Sequence, residues 1–321
     1  MKRLNNGLCG VILAAGKGQR LTPLSFASPK PLLSICNKPI MQYQIENMIN
    51  LGISEFFIVV GHLKEKIMRY FGDGSSLGVK IKYVEQKENL GIAHAVGQLE
   101  DHVNKPFLLF LGDIFFVPKN LKKMLDIFTR KRAGAVLAVK KELEQSYIRK
   151  NFTVILHKKT NKVIRVIEKP RYLTTYLKGC GIYMFDLAIF DAIRNTPRTA
   201  MRDEYEITTA IQILIEEGSP VYAADVIKWD MNVTVPCDLF KCNQRWLRQI
   251  QETKVVAQTA RLHKNTKVIN SVIGKDVSVS LPITIKNSVI LEGTRIRGKD
   301  NIINSLVSSN FTVICDNPGI E

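Results

Sequence analysis

The residues best placed to do chemistry lie in Gly16-Lys17-Gly18-Gln19-Arg20-Leu21-Thr22-Pro23 and, nine residues after Arg20, in Pro29-Lys30-Pro31-Leu32. The apolar run Val11-Ile12-Leu13-Ala14-Ala15 before them reads as a buried strand that opens into a glycine turn. Glycines let backbone N–H groups approach an anion closely, and Arg20 and Lys30 add fixed positive charge. The result is a polyphosphate cradle. It fits neither the Walker pattern, which needs Gly-Lys-Ser/Thr, nor the dinucleotide G-x-G-x-x-G spacing. A surface turn with two unrelated basic residues is the plainer alternative.

A second chemical position is Phe110-Leu111-Gly112-Asp113, an acid at the end of an all-apolar run. An unpaired carboxylate there is costly, so a metal partner suits it, and a helix N-cap is the other use for such an Asp. Ile167-Glu168-Lys169-Pro170 places a charged pair at the end of another strand-like run.

The elements that must position these residues alternate. Strand-like runs are Phe56 to Val60, Val79 to Val84, Phe107 to Leu111 and Ala135 to Val139. Helix-like segments between them are Pro39 to Leu51, Leu63 to Phe71, Ile92 to Leu99 and Asn120 to Lys131. Such alternation implies crossover connections and a mostly parallel sheet, with ligands at the carboxyl ends of its strands. Phe152 to Leu156 and Val163 to Ile167 then read as a hairpin, followed by a strand at Gly181 to Phe185. Two helices, Glu204 to Glu217 and Cys237 to Gln251, close this part.

From about Asn265 the pattern changes. Val268-Ile269-Asn270-Ser271-Val272-Ile273-Gly274 is echoed by Ile283-Thr284-Ile285-Lys286-Asn287-Ser288-Val289-Ile290 and by Ile302-Ile303-Asn304-Ser305-Leu306-Val307. Recurring aliphatic clusters with Asn-Ser in each suit the coils of a β-solenoid, with an ordinary three-stranded sheet as the alternative. So few coils need support from the first domain or from another subunit.

At 321 residues the chain is long enough for one large α/β domain and a smaller one. No apolar run approaches the ~20 residues that span a bilayer, so no membrane partner is expected. Met1-Lys2-Arg3 faintly mimics a signal peptide, but Asn5 and Asn6 interrupt it. The six cysteines (Cys9, Cys36, Cys180, Cys237, Cys242, Cys315) lack CxxC or zinc spacing and are read as free thiols, which suits a cytoplasmic protein. The net charge of +17 is spread along the chain in short clusters such as Arg130-Lys131-Arg132, with no aromatic-interleaved stripe. That is a solvated basic surface rather than a nucleic-acid footprint, and a phosphate-rich substrate makes part of it useful.

Taken together, the motifs resemble the sugar-1-phosphate nucleotidyltransferase family, the pyrophosphorylases that make nucleotide sugars. The resemblance covers residues 8 to about 250, and the tail looks like the left-handed β-helix attached to many members. It implies an α/β, Rossmann-like nucleotidyltransferase domain with a mixed, mostly parallel sheet at 1–255, then a short left-handed parallel β-helix at 256–321. It also implies that Leu13, Ala14, Ala15, Gly16 and Gly18 wrap a nucleoside triphosphate, with Arg20 and Lys30 acting on its phosphates. Gln86 and Gly91 fall on the base-contacting segment, where an amide can donate and accept at once. Asp113 falls on the Mg²⁺ position. The second metal ligand is Asn232 when counted back from Pro236-Cys237-Asp238-Leu239, with Asp230 in reserve when counted from Trp229. Glu168 would accept from sugar hydroxyls, Lys169 would neutralise the sugar phosphate, and Gly181 would line the sugar.

Departures from the family pattern are Ile92, where some uridylyl-specific relatives have Thr, Thr153 in place of a Gly, Cys180, and Asn232. His94, on the following helix, reads as a packed or exposed histidine rather than a catalytic one. The implied reaction joins an NTP and a sugar 1-phosphate into an NDP-sugar and pyrophosphate. Glucose 1-phosphate with dTTP or UTP leads. Mannose 1-phosphate with GTP is the alternative, and a non-catalytic regulatory or assembly relative is a further one. An acetyltransferase in the tail is set aside, because three coils with His263 offer too little for a base and its substrate. The tail is read as a homo-oligomer surface.

Overall fold

The computed structural model describes residues 7–200 and 202–315. Its chain forms two compact units. The first, the sheet unit, takes the chain up to Lys17 together with Gln44–Asp230, and the second, the tail unit, takes Gly18–Tyr43 together with the chain from Met231.

The sheet unit is built on β1 (Cys9–Ala14), β2 (Glu55–Val60), β3 (Lys80–Glu85), β4 (Phe107–Leu111), β5 (Ile114–Pro118), β6 (Ala135–Lys141), β7 (Phe152–Leu156), β8 (Val163–Glu168), β9 (Leu177–Phe185) and β10 (Val221–Asp225). All but β5 join one mixed sheet in the order β8-β7-β9-β4-β1-β2-β3, with β6 pairing β9 and β10. β1 runs parallel to β2 and β4, and β2 runs parallel to β3, whereas β9 is antiparallel to β4 and β6. Strands β1, β2 and β4, buried on both faces, are continuous apolar runs of the sequence. On one face, Val11, Val59, Leu109, Leu137 and Tyr183 pack with Ala93, Val96, Ile189, Ile211 and Leu214 in one core cluster.

The helices expected from the sequence appear as Ile40–Asn50, Lys64–Phe71, Ile92–Gly97 and Lys122–Lys131, each within three residues of its expected bounds. Among the elements not expected from the sequence are two short paired strands and a short helix. Ile114–Pro118 is a separate strand because Gly112-Asp113 makes a turn after Leu111, and it pairs with Ile227–Asn232 in a two-stranded sheet. The helix Ala188–Arg194 is too short to show a clear period.

In the tail unit, helix Pro236–Gln249 is followed by short parallel strands in three sheets, such as Ser271–Ile273 against Val289–Ile290 and Lys267–Ile269 against Thr284–Lys286. This is a β-helix and not a flat three-stranded sheet. One coil takes 17 residues: the N–H of Ser288 donates to Ser271 Oγ and that of Ser305 to Ser288 Oγ, each 17 positions along. The recurring Asn-Ser pair is thereby explained. Asn270, Asn287 and Asn304 take left-handed φ of 45°, 47° and 50° at the corner, and the following serines turn inward and are buried. Ile273, Val277, Val279, Ile283, Ile285 and Ile290 fill the interior. Thr312–Ile314 pairs antiparallel with Ser305–Val307 at the end of the stack.

The reading of six free thiols is corrected. Cys237 at the start of the helix and Cys315 after the last strand form a disulfide with Cα atoms 5.5 Å apart, while Cys9, Cys36, Cys180 and Cys242 are not disulfide-bonded. A separation of 78 residues gives no signal in the sequence, because only the coiling of the tail brings the two together. Closing a loop of that length stabilises the fold by up to about 4.5 kcal/mol on the chain-entropy account. Cys315→Ser should therefore lower the urea midpoint of the oxidised protein, and a midpoint equal to wild type would reject the pairing.

Candidate functional site

The carboxyl ends of β1 and β4 lie side by side, with Leu13 opposite Leu111. The N–H of Gly112 donates to Leu13 O at 2.9 Å, so the chain leaving β4 is bonded to the strand that enters the glycine loop. Gln44 then clamps the turn. Its Nε2 donates at 2.8 Å both to Leu111 O and to Ile114 O, the carbonyls on either side of Gly112-Asp113. Asp113 is half-buried in that turn and precedes a strand, which removes the helix N-cap alternative. Gln44, 1% exposed, was not singled out in the sequence, because a Gln on a helix carries no signal of its own.

Around the same strand, Ala14 and Ala15 are buried, Leu13 is half-buried and Gly16 is exposed. Ala15 O accepts from His62 N at 3.3 Å. Gln86 follows β3, is 5% exposed, and extends the sheet by donating its backbone N–H to Val60 O at 2.8 Å. Gly91 has φ +110°, and a Cβ there would lie 2.5 Å from Tyr205 O, so only glycine fits.

Glu168 ends β8 and faces Thr208 Oγ1 at 3.3 Å, Arg202 Nη1 at 3.4 Å and Lys169 Nζ at 3.8 Å. Arg202 also holds Glu206 at 2.7 Å. Burial first, and the Glu206 carboxylate second, push the Glu168 carboxyl above the ordinary range, while Lys169 and Arg202 pull it back. Arg202, Glu206 and Thr208 thus join Glu168 from 34 to 40 residues away, a separation that leaves no local signal in the sequence. The Lys169 side chain is exposed, and its backbone N–H donates to Asn151 O at 2.8 Å. Gly181 is buried in β9, and an added Cβ would collide with Ile114 Cδ1. Thr153 is fully buried and donates to Leu177 O at 2.7 Å, so its hydroxyl is spent on β9.

Asp230 is committed elsewhere. Its side chain is completely buried, ion-paired with the buried Lys178 and with Lys140 at 3.2 Å. Lys140 also meets Glu142 at 2.9 Å. Burial draws the Lys140 ammonium down, but Asp230 and Glu142 outweigh it and the proton is held more tightly than usual. A cation at Asp230 would have to displace two ammonium groups.

Within the tail unit, Gly18 has φ +65° and its missing Cβ leaves room for the Lys30 stem, whose Cε would otherwise lie 2.9 Å away. Arg20 is exposed in a 3₁₀ turn anchored by the fully buried Leu21. Asn232 is half-buried. The loop after it is fixed by Asp238, which accepts from the N–H groups of Thr234 and Val235 at 2.9 Å each.

Among the described residues, no three His, Cys, Asp or Glu side chains converge to hold a metal. No described helix is long and apolar enough to cross a membrane. The oxygen donor of Asp113 still fits Mg²⁺, which binds through one or two carboxylates plus substrate phosphates rather than in an all-protein cage.

Comparison with known proteins gives the same direction. The family described as nucleotidyl transferase matches residues 9–247. The chain is 35% identical over 237 residues to the low-salt glycan biosynthesis nucleotidyltransferase Agl11 of Haloferax volcanii, covering 73% of this chain and 65% of that protein. It is 34% identical to the UTP–glucose-1-phosphate uridylyltransferase AglF of the same organism, covering 73% of this chain and 95% of that one. Among solved structures, one described as a glucose-1-phosphate thymidylyltransferase from Bacillus anthracis, in complex with sucrose, superposes with TM-score 0.66 at 25% identity, covering 74% of this chain and 94% of that one.

The buried ion pair makes a stability prediction. Lys178→Met leaves the Asp230 charge short of a partner and should cost about 3 kcal/mol in urea denaturation, whereas Lys178→Met with Asp230→Leu should recover most of it. Equal losses in the single and double variants would reject this account.

Proposed function

Since this chain belongs to the nucleotidyl transferase family, we propose that it transfers a nucleotidyl group from an NTP to a sugar 1-phosphate, releasing pyrophosphate. Glucose 1-phosphate with dTTP or UTP is the leading pair, supported by the named activities of AglF and of the Bacillus anthracis protein. The observation that carries the reading is the junction of β1 and β4. It delivers the glycine loop and Asp113 from adjacent carboxyl strand ends, where open α/β sheets bind their ligands.

The sugar phosphate is already ionised, so the reaction needs positioning and charge neutralisation more than a general base. Attack of its oxygen on the α-phosphorus forms one P–O bond and breaks the bond to the leaving pyrophosphate. Arg20 and Lys30 neutralise the triphosphate, and the backbone of Leu13, Ala14, Ala15, Gly16 and Gly18 cradles it. Gln86 and Gly91 receive the base. Lys169 orients the sugar phosphate, Glu168 accepts from the sugar hydroxyls, and Gly181 lines their pocket. Asp113 and Asn232 would hold a divalent cation, Mg²⁺, which supplies further charge neutralisation on the phosphates. Asp230 keeps its two lysines. We further propose a cytoplasmic setting on the ground of the substrates alone, since NTPs are made there and the Cys237–Cys315 disulfide removes the free-thiol argument, and self-association through the tail at 256–321, a module distinct in role from 1–255.

A pyrophosphate-release assay across NTPs and sugar 1-phosphates tests the reading, and no release with any pair would overturn it. Arg20→Ala and Lys30→Ala should each lower kcat by about 10²-fold, and near-wild-type turnover would remove the assignment.

The acid limb of kcat/KM for the sugar phosphate should lie above the ordinary Glu range, because Glu168 works ionised and its carboxyl titrates high. Arg202 favours the ionised form, so Arg202→Gln should move that limb to higher pH. Glu206 disfavours it, so Glu206→Gln should move the limb lower.

A further inference from the structure

His94 touches Gln86, a contact that the functional reading above leaves unused. Gln86 Nε2 lies 3.0 Å from His94 Nδ1, and His94 Nε2 lies 3.4 Å from the Gln98 amide. A neutral imidazole accepts a hydrogen bond at only one of its ring nitrogens. The shorter contact, to the more buried amide, takes that role. With the proton on Nε2, the half-buried Gln98 amide, whose nitrogen faces that atom at 3.4 Å, has to turn over to accept from it.

The ring itself is held in place. It stacks on Tyr205 with centroids 6.2 Å apart and planes 24° from parallel. The Tyr205 backbone bonds on both sides of Gly91, donating to Leu90 O at 2.7 Å and accepting from Ala93 N at 2.9 Å. Arg198 Cζ lies over the Tyr205 ring, 5.8 Å from its centroid.

We propose that His94 is a positioning residue that fixes the Gln86 amide so that its carbonyl is the group offered to the base. The proposal rests on Gln86 being the base reader of the transferase described above. Turning the amide over would set Gln86 Oε1 against the Nδ1 lone pair, two acceptors facing each other, and so the reversed amide is disfavoured. An amide carbonyl presented this way accepts from a ring N–H. Uracil and thymine carry that proton on their pairing edge, as does guanine, whereas cytosine and adenine present a ring nitrogen that is itself an acceptor. The substrate class selected is therefore a keto-base nucleoside triphosphate.

The test compares wild type with His94→Leu and His94→Asn, using UTP, dTTP, GTP, CTP and ATP in equilibrium dialysis and in turnover with a sugar 1-phosphate. Wild type should bind UTP or dTTP in preference to CTP and ATP. In His94→Leu, the Kd and KM for the preferred nucleotide should rise about tenfold, roughly 1.4 kcal/mol, and the discrimination against CTP should shrink by a similar factor. kcat and the KM for the sugar phosphate should stay within about twofold. In His94→Asn, the amide oxygen can stand in for Nδ1 and should restore most of the discrimination. An unchanged UTP-to-CTP ratio in His94→Leu would overturn the proposal, as would an Asn variant no better than Leu at an equal melting temperature. Absence of turnover in wild type would instead overturn the transferase reading, and the dialysis ratios would still decide the role of His94.

Discussion

One short turn, Gly112-Asp113, ties together the carboxyl ends of two adjacent strands in the sheet unit. A carboxylate at the end of a buried strand is useful only if its backbone cannot drift. Here the Gly112 N–H is bonded to Leu13 O and the flanking carbonyls are both held by the single Gln44 amide. Three backbone groups at and beside that turn, the Gly112 N–H and the Leu111 and Ile114 carbonyls, are thus tied to neighbours in the sheet unit. The arrangement has a cost, since Gln44 Oε1 is buried without a hydrogen-bond partner, a penalty of about 1–3 kcal/mol. Two well-directed donors to the turn outweigh one unsatisfied acceptor away from it.

The same unit separates charges that work from charges that hold. Asp230 is sealed between Lys178 and Lys140 and contributes to the packing of β6, β9 and Ile227–Asn232. Glu168 keeps a quarter of its side chain exposed and shares Arg202 with a second carboxylate, so its charge is only partly neutralised. A fully paired buried ion has little left to offer a substrate. A half-paired one at a strand end can still accept hydrogen bonds.

In the tail unit the organising constraint is repetition. Each 17-residue coil places an Asn in the left-handed corner and a Ser hydroxyl beneath the next coil's N–H. Helix Pro236–Gln249 is tied to this stack through Gln244 Nε2 to Asn270 O at 3.0 Å and through the Cys237–Cys315 link. Its Asn243 bonds to the backbone of Ser34 and Cys36. The basic segment carrying Arg20 and Lys30 and the coils are therefore anchored to one helix.

Local chemistry made much of this legible beforehand. Apolar runs such as Phe56 to Val60 read as buried strands, and Gly16-Lys17-Gly18 with Arg20 and Lys30 reads as a glycine-rich cationic cradle. The Asn-Ser echoes announced a repeat. These features depend on side-chain type and spacing within a few residues, which is what a sequence records directly. Tertiary structure decided the partnerships. Gln44 reaches a turn 67 residues away, Lys178 meets Asp230 across 52, Cys237 meets Cys315 across 78, and His94 turns one helical residue into a brace for Gln86. Such contacts follow from strand order and coil register rather than from local propensity. The chain alone determined which residues could carry charge and where backbone could bend, and only the fold decided which charges were left available for chemistry.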